Sequence, residues 1–244
     1  MGQRAPTNQA IQGLWISGSL SIMERLSITS FLAQGHEYHL YIYDDVQGIP
    51  AGATVKDANE ILPRSAIFRH VATGSYGVFS DVFRYKMLWD RGGWWADLDV
   101  VAVKPFDVDV EHVFATERDE FGRECLTNCV IKAPPRSEII QSAWADCQDK
   151  DLANMAWGVS GPNLMHRLLF RSSFHSRIVG ADTFCPVDPD WWFQSVIPLK
   201  SSPLRDTTLG VHLLNDKWRH HGLDKNEQYA PGSLYEQLKR RYLT

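Results

Sequence analysis

The run Ser80-Asp81-Val82-Phe83-Arg84-Tyr85-Lys86-Met87-Leu88-Trp89-Asp90-Arg91-Gly92-Gly93-Trp94-Trp95-Ala96-Asp97-Leu98-Asp99-Val100 joins a helix, a glycine stop and a short strand that ends in paired carboxylates. Val78, Val82, Tyr85 and Trp89 recur with the helical period and form one apolar stripe, with Ser75 as the cap residue. Asp81 and Arg84 stand one turn apart on the polar edge of that stripe, while Tyr85 reads as core. Gly92-Gly93 stops the helix, Trp94-Trp95-Ala96 is a strand, and Val100 to Val103 is a further extended run closed by Pro105.

Asp97 and Asp99 are two residues apart, so their side chains share one face of an extended segment or converge around a turn. They lie between two apolar runs, at the edge of the core, where a carboxylate is costly unless it is paired or bound to metal. Mg²⁺ or Mn²⁺ suits such a pair, because hard cations take oxygen ligands and keep positions open for phosphate oxygens. The spacing alone is equally that of a polar turn between strands.

Outward from this stretch, Ile11 to Ile16 reads as a buried strand and Ser17-Gly18-Ser19 as a turn. Ile22 to Leu32 reads as an amphipathic helix ended by Gly35, and His39 to Tyr43 as a second strand running into Asp44-Asp45. Strand, helix and strand at this spacing open a βαβ unit and a parallel sheet. The pattern weakens from Gly48 to Ser75, where Asp57 to Leu62 is a helix-like fragment. Later, Val113 to Thr116, Leu126 to Lys132, Thr183 to Val187 and Thr208 to Leu213 are expected strands. Ser137 to Cys147, Leu164 to Phe170 and Ser233 to Tyr242 are expected helices, the last capped by Ser233 with Glu236 at the capping-box position. Without repeats or linkers, residues 1–244 are expected to form a single α/β domain.

The 244 residues are 44% hydrophobic and 22% charged, the composition of a folded domain, and nine tryptophans point to an aromatic-lined cavity or interface. A net charge of -4 argues against nucleic acid as a partner, since that would need a basic face. A phosphorylated ligand remains compatible, because a bound cation carries the counter-charge locally. Cys125, Cys129, Cys147 and Cys185 make neither a CxxC motif nor a zinc pattern and are expected to be reduced and mostly buried. Met1 to Ala10 lacks the apolar region of a signal peptide, and no run reaches the roughly 18 apolar residues of a membrane span. The expected location is cytoplasmic, with room for peripheral association at the inner face of the membrane.

The Ser80 to Val100 stretch resembles glycosyltransferase family 32, the group with the DxD sugar-binding region, whose theme runs S-D-x-x-R-x-x-x-L-x-x-x-G-G-x-x-x-D-x-D-V. The family is related to the catalytic domain of the clostridial glucosylating toxins. The resemblance implies a GT-A fold, with a central mixed, mostly parallel sheet flanked by helices. It assigns nucleotide-sugar binding to about residues 11–105 and the acceptor side to about 106–220, followed by the C-terminal helix 233–242. It makes Asp99 the direct ligand of Mn²⁺ or Mg²⁺ and puts Asp97 on the ribose or the metal. Asp81 and Arg84 would hold the donor sugar, the carboxylate taking hydroxyls and the guanidinium offering a rigid fork of donors.

Three further segments extend the resemblance. Ile11-Gln12-Gly13-Leu14-Trp15-Ile16 is similar to the first strand of the family, which makes Trp15 the residue expected to stack on uracil, although Gln12 and Gly13 depart from the family pattern. Asp44, with Asp45, follows the second strand where carboxylates meet the base or ribose in this fold. Val211-His212-Leu213-Leu214-Asn215-Asp216-Lys217-Trp218 is similar to the C-terminal motif, and offers His212 and Asn215 to the metal or phosphate and Lys217 and Trp218 to the diphosphate, with Asp216 as an alternative ligand. Asn128 to Pro134 and Trp157-Gly158-Val159-Ser160-Gly161-Pro162 resemble the acceptor-side strand and the G-x-x-G-P loop.

The expected activity is retaining transfer of a hexose or N-acetylhexosamine from a nucleotide diphosphate sugar, a UDP-sugar foremost, to a saccharide or lipid-linked saccharide. No dedicated nucleophile stands out, so acceptor attack on the departing face is the working mechanism. The competing readings are a metal-dependent nucleotide-sugar hydrolase or pyrophosphatase and a non-catalytic glycan-binding domain. Trp191-Trp192-Phe193 could stack on an acceptor sugar or simply cover the core.

Overall fold

The structure is a computed structural model and describes residues 9–16 and 18–243. The opening residues read for a signal peptide, up to Asn8, and Ser17 of the expected first turn lie outside the described residues. The elements in chain order are β1 (Ile11–Trp15), α1 (Ile22–Ala33), β2 (Tyr38–Ile42), β3 (Thr54–Asp57), α2 (Gly77–Arg91), β4 (Gly93–Ala96) and β5 (Val100–Ala102). These are followed by β6 (Val113–Arg118), β7 (Glu124–Ala133), α3 (Glu138–Asp146), α4 (Pro162–Leu169), β8 (Ile178–Val179), β9 (Gly210–His212), α5 (Asn215–His220) and α6 (Leu234–Tyr242).

Among the described residues a mixed sheet runs β3-β2-β1-β4-β7-β6-β8. β1, β2, β3 and β4 pair in parallel, β7 is antiparallel to both β4 and β6, and β8 returns parallel to β6. β5 and β9 form a separate antiparallel pair that sets Val100 opposite His212. The result is an α/β GT-A-like fold with a central mixed, largely parallel sheet flanked by helices.

Helix α1 begins at a capping box not read from the sequence: the Ser21 hydroxyl accepts from Met23 N and Glu24 returns a carboxylate to Ser21 N at 2.7 Å. Its Ser27 and Ser30 then fix β5, through Ser27 Oγ to Val100 O at 2.6 Å and Ala102 N to Ser30 Oγ at 2.8 Å. Helix α2 buries Val78, Phe79, Val82, Phe83, Tyr85, Met87 and Leu88 under the sheet. Tyr76 rather than Ser75 stands at its cap position, and Ser75 Oγ accepts from Gly77 N instead. At its end Gly92 adopts φ 63°, and a Cβ there would come within 2.5 Å of Pro135, so glycine answers both the left-handed turn and the close approach.

Some expectations are corrected. Thr183 to Val187 is no strand: Ala181–Thr183 is a turn of 3-10 helix. Thr183 O and Phe184 O still accept from Leu209 N and His212 N, so the apolar run is buried without laddering. Glu236 sends its carboxylate to Tyr229 N at 2.9 Å rather than back to Ser233 N, so the Ser233 cap stands without its reciprocal partner. Asp57 to Leu62 shortens to the 3-10 turn Ala58–Glu60, and the edge strand β3 just before it carries no apolar alternation long enough to announce itself.

Candidate donor-sugar and metal site

The C-terminal ends of β1 and β4 open, as expected for a parallel α/β sheet, on a cavity of about 680 Å³. Helix α2 contributes Asp81 and Arg84 to it, and both are buried. Arg84 NH2 lies 3.3 Å from Asp81 Oδ1 and 3.1 Å from Asp97 Oδ1, while NH1 donates to Asn128 O. The guanidinium stacks on the Trp95 ring with its carbon 4.9 Å from the centroid, and the Trp95 indole N–H donates to Asp97 Oδ1 at 2.7 Å. Each oxygen of Asp81 accepts one hydrogen bond, from Asn128 Nδ2 at 2.6 Å and from Ser160 Oγ at 2.7 Å.

Asp97 and Asp99 lie on the turn between β4 and β5, where Asp97 N donates to Cys129 O and Val100 N to Asp97 O. Asp99 Oδ2 accepts from Asn215 N at 2.8 Å and stands 3.3 Å from His212 Nε2. Leu214, at φ 58°, turns the chain between β9 and α5 so that the Asn215 N–H faces Asp99. Ligand atoms of Asp97, Asp99 and His212 fall within 4.8 Å of one another, a candidate divalent-metal cluster.

The electrostatics separate the two aspartates. Burial pushes the Asp97 carboxyl up to about 7, against the pull of Arg84 and with Asp99 adding to the rise. Burial also acts upward on Asp99, but the His212 charge and the hydrogen bonds of His212 and Asn215 N outweigh it and hold Asp99 below the usual carboxylate range. His212 stands well above its ordinary value, because Asp99 and Cys129 overcome its burial. Asp81 is raised by burial, with Arg84, Ser160 and Asn128 opposing.

Of the residues read from the sequence, Trp15, Asp81, Arg84, Asp97, Asp99, His212, Asn215 and Lys217 line this one cavity. Asn215 meets Asp99 through its backbone N–H rather than its side chain. Two residues are placed differently. Asp44 is exposed outside the cavity lining, with both carboxylate oxygens on Arg64. Trp218 is fully buried outside that lining, edge-on to Tyr229 and Tyr235, with its indole N–H unpartnered. Gln12, where the sequence departed from the family pattern, is buried and ties β1 to the helix stop, donating to Gly92 O at 2.7 Å and Trp94 O at 3.3 Å.

Glu117 carries no motif signal in the sequence. This β6 carboxylate lines the cavity, is lifted by burial to about 7, and feels His212, Cys129, Lys217 and Asp99. It lies at the polar end of a strand whose first four residues are all buried, so only the packing of β6 against β7 reveals it. Trp157, 48% exposed, also lines the cavity, beside Arg69 and Arg219. The G-x-x-G-P loop acquires a specific role: a Cβ at Gly161 would come within 3.0 Å of both Asp81 Oδ2 and Asn128 Nδ2.

Sheet order, the glycine-stopped helix and the paired-aspartate turn together define a GT-A glycosyltransferase fold with a DXD sugar-binding motif. Residues 24–118 match the family model described as the glycosyltransferase sugar-binding region containing DXD motif. Among individual proteins, the chain is 25% identical over 179 residues to lactosylceramide 4-alpha-galactosyltransferase of Pongo pygmaeus, covering 68% of this chain and 78% of that protein. The solved PaToxG glycosyltransferase superposes with a TM-score of 0.50 at 15% identity, covering 98% of this chain and 86% of that one. Among the described residues, no helix is long and apolar enough to cross a membrane.

Proposed function

We propose that this chain transfers a hexose or N-acetylhexosamine from a nucleotide diphosphate sugar, a UDP-sugar foremost, to a saccharide or lipid-linked saccharide, with retention at the anomeric carbon. One observation carries the reading. Arg84 pairs with both Asp81 and Asp97, and these three residues face the same cavity as Asp99. The DXD match and the galactosyltransferase relative support the class of reaction. On this reading the chain acts as one domain, with donor binding in residues 11–105 and the acceptor side in 106–220.

Two carboxylates and an imidazole within 4.8 Å suit Mn²⁺, which accepts both donor types, and Mg²⁺ through its preference for oxygen. Asp99 would hold the ion, with Asp97 and His212 completing its protein ligands. When bound, the ion supplies Lewis-acid stabilisation of the leaving diphosphate. The chain's own residues do the rest. Asp81, locked by Asn128 and Ser160, presents a fixed acceptor edge to sugar hydroxyls. Arg84 neutralises Asp81 and Asp97 and prevents them from repelling the donor. Trp15 offers a ring to the base at the cavity wall, and Lys217 offers an N–H donor to phosphate oxygen.

Glu117 is suited to orient the acceptor hydroxyl and take its proton, since a carboxyl near 7 works as a base at neutral pH. Trp157 offers an exposed face to the acceptor sugar. The deciding experiment incubates the protein with a panel of nucleotide sugars, Mn²⁺ and saccharide acceptors. Transfer product that disappears with chelator and in Asp99→Ala supports the proposal. Nucleotide release with no transfer product under any acceptor would assign a hydrolase instead.

A further inference from the structure

Beside the DXD turn lies a second cluster, which shares His212 with the site already described and adds two cysteines, Cys129 and Cys185, that are not part of the cavity lining. Cys129 comes from β7, Cys185 from the loop after the Ala181–Thr183 turn, and His212 from β9. Backbone bonds fix all three: Asp97 N to Cys129 O at 2.9 Å, Cys185 N to Ala181 O at 2.7 Å and His212 N to Phe184 O at 2.9 Å. Both thiols are buried, and their sulfurs are 3.6 Å apart. A ligand atom of each residue lies within 4.8 Å of the others.

The sulfur separation is informative. It is far longer than the roughly 2.05 Å of a disulfide. Two thiolates at about 2.3 Å from a tetrahedral zinc ion are separated by about 3.8 Å, close to the spacing found here. The histidine supplies the second observation. Its Nε2 is turned to Asp99 at 3.3 Å, leaving Nδ1 buried and without a hydrogen-bond partner. A metal-bound histidine commonly donates its other ring N–H to a carboxylate, which orients the ring and sets its tautomer. Asp99 stands where that carboxylate belongs.

We propose that Cys129, Cys185 and His212 form a site for one thiophilic divalent cation of the zinc type, with Nδ1 as the imidazole ligand and Nε2 directed to Asp99, donating its N–H there while the DXD cluster holds no ion. The thiol protons are released to solvent as the cation binds, and no oxidant or reductant is involved. The site differs from the DXD cluster in its other ligands, two sulfurs against carboxylate oxygens, and shares only His212 with it. It therefore does not rest on the nucleotide-sugar reading.

The test uses the reduced, chelator-treated full chain titrated with Co²⁺ alone. A near-ultraviolet thiolate-to-cobalt charge-transfer band that saturates at one equivalent and is displaced by Zn²⁺ is expected. Cys129→Ser and Cys185→Ser should each abolish the band, Cys125→Ser and Cys147→Ser should keep it, and the first two should still bind Mn²⁺ by electron paramagnetic resonance. X-ray absorption of the zinc-loaded wild type, which needs no variant, should show two sulfur neighbours and at least one nitrogen neighbour. No thiolate band, a band that survives loss of Cys129 or Cys185, or zinc with only oxygen and nitrogen neighbours would overturn the proposal. So would aerobic loss of two titratable thiols in the absence of metal, which would make the pair a disulfide couple.

Discussion

Arg84 stands between Asp81 and Asp97, 3.3 Å from the first and 3.1 Å from the second, so a single guanidinium couples helix α2 to the DXD turn. The contact joins a residue inside a helix to one after a strand. It offsets the desolvation of Asp81, which is buried, and of Asp97, which is partly buried, because an unpaired charge is costly in the protein interior.

Removing that cation should therefore cost more than a surface ion pair. Arg84→Ala removes the cation that pairs buried Asp81 and partly buried Asp97 and is expected to destabilise the fold by about 3–5 kcal/mol, as read by urea denaturation. Arg84→Lys keeps the charge but loses the fork to Asn128 O and Ser80, and should recover stability better than donor binding. Full stability in Arg84→Ala would show that the coupling carries no energy.

The pH dependence has a definite sign. Asp97 and Glu117 are raised to about 7, so in the metal-free protein each keeps a proton that the unfolded chain releases near pH 4. His212, raised well above its ordinary value, likewise keeps a proton that the unfolded chain loses near neutrality. The folded state then binds more protons, and stability should fall as pH rises from about 4.5 to 8. Denaturation midpoints across that range measure it, and Asp97→Asn with Glu117→Gln should flatten the slope. Mn²⁺ binding should run the opposite way, strengthening as Asp97 deprotonates.

Gly161 lies against the Asp81 carboxylate and the Asn128 amide that holds it. Gly161→Ala places a methyl 3.0 Å from Asp81 Oδ2 and from Asn128 Nδ2, tighter than either can accept without moving. The expected cost is about 1–3 kcal/mol of stability together with weaker nucleotide-sugar binding by calorimetry. Unchanged donor affinity would show that the loop does not set the position of Asp81.

Trp157 separates acceptor from donor effects. Its loss should remove a stacking surface worth about 0.5–1.5 kcal/mol, a few-fold to tenfold rise in acceptor KM. Donor hydrolysis without acceptor should stay at the wild-type rate. Equal losses in both reactions would place Trp157 in the donor site or in the support of α2, whose first residue Gly77 it covers.

How far the sequence reached differs from residue to residue. The parallel opening of the sheet followed from the periodicity of Ile11 to Tyr43, because a βαβ unit has few ways to bury both apolar faces. Asp81, Arg84, Asp97 and Asp99 were legible because helix period, glycine stop and strand period are local, and they bring these four together over a short run. Asp44 was misleading for the same locality: following a strand is a position in the chain, and its partner Arg64 comes from the segment whose pattern was weakest. Trp218 matched a motif, but packing among Tyr229 and Tyr235 takes its ring out of the cavity wall.

The amino-acid sequence by itself determined the α/β architecture and the grouping of Asp81, Arg84, Asp97 and Asp99, since hydrophobic period and turn chemistry act over a few residues. Tertiary structure alone decided that Glu117 faces the same cavity, that Ser160 and Asn128 lock Asp81, and that His212 stands between the DXD turn and the Cys129–Cys185 pair. Those contacts span 47 to 79 residues for Asp81 and 56 between the two cysteines. At such separations no local propensity encodes a contact; it exists only once β7, β9 and the intervening loops have been packed against one another.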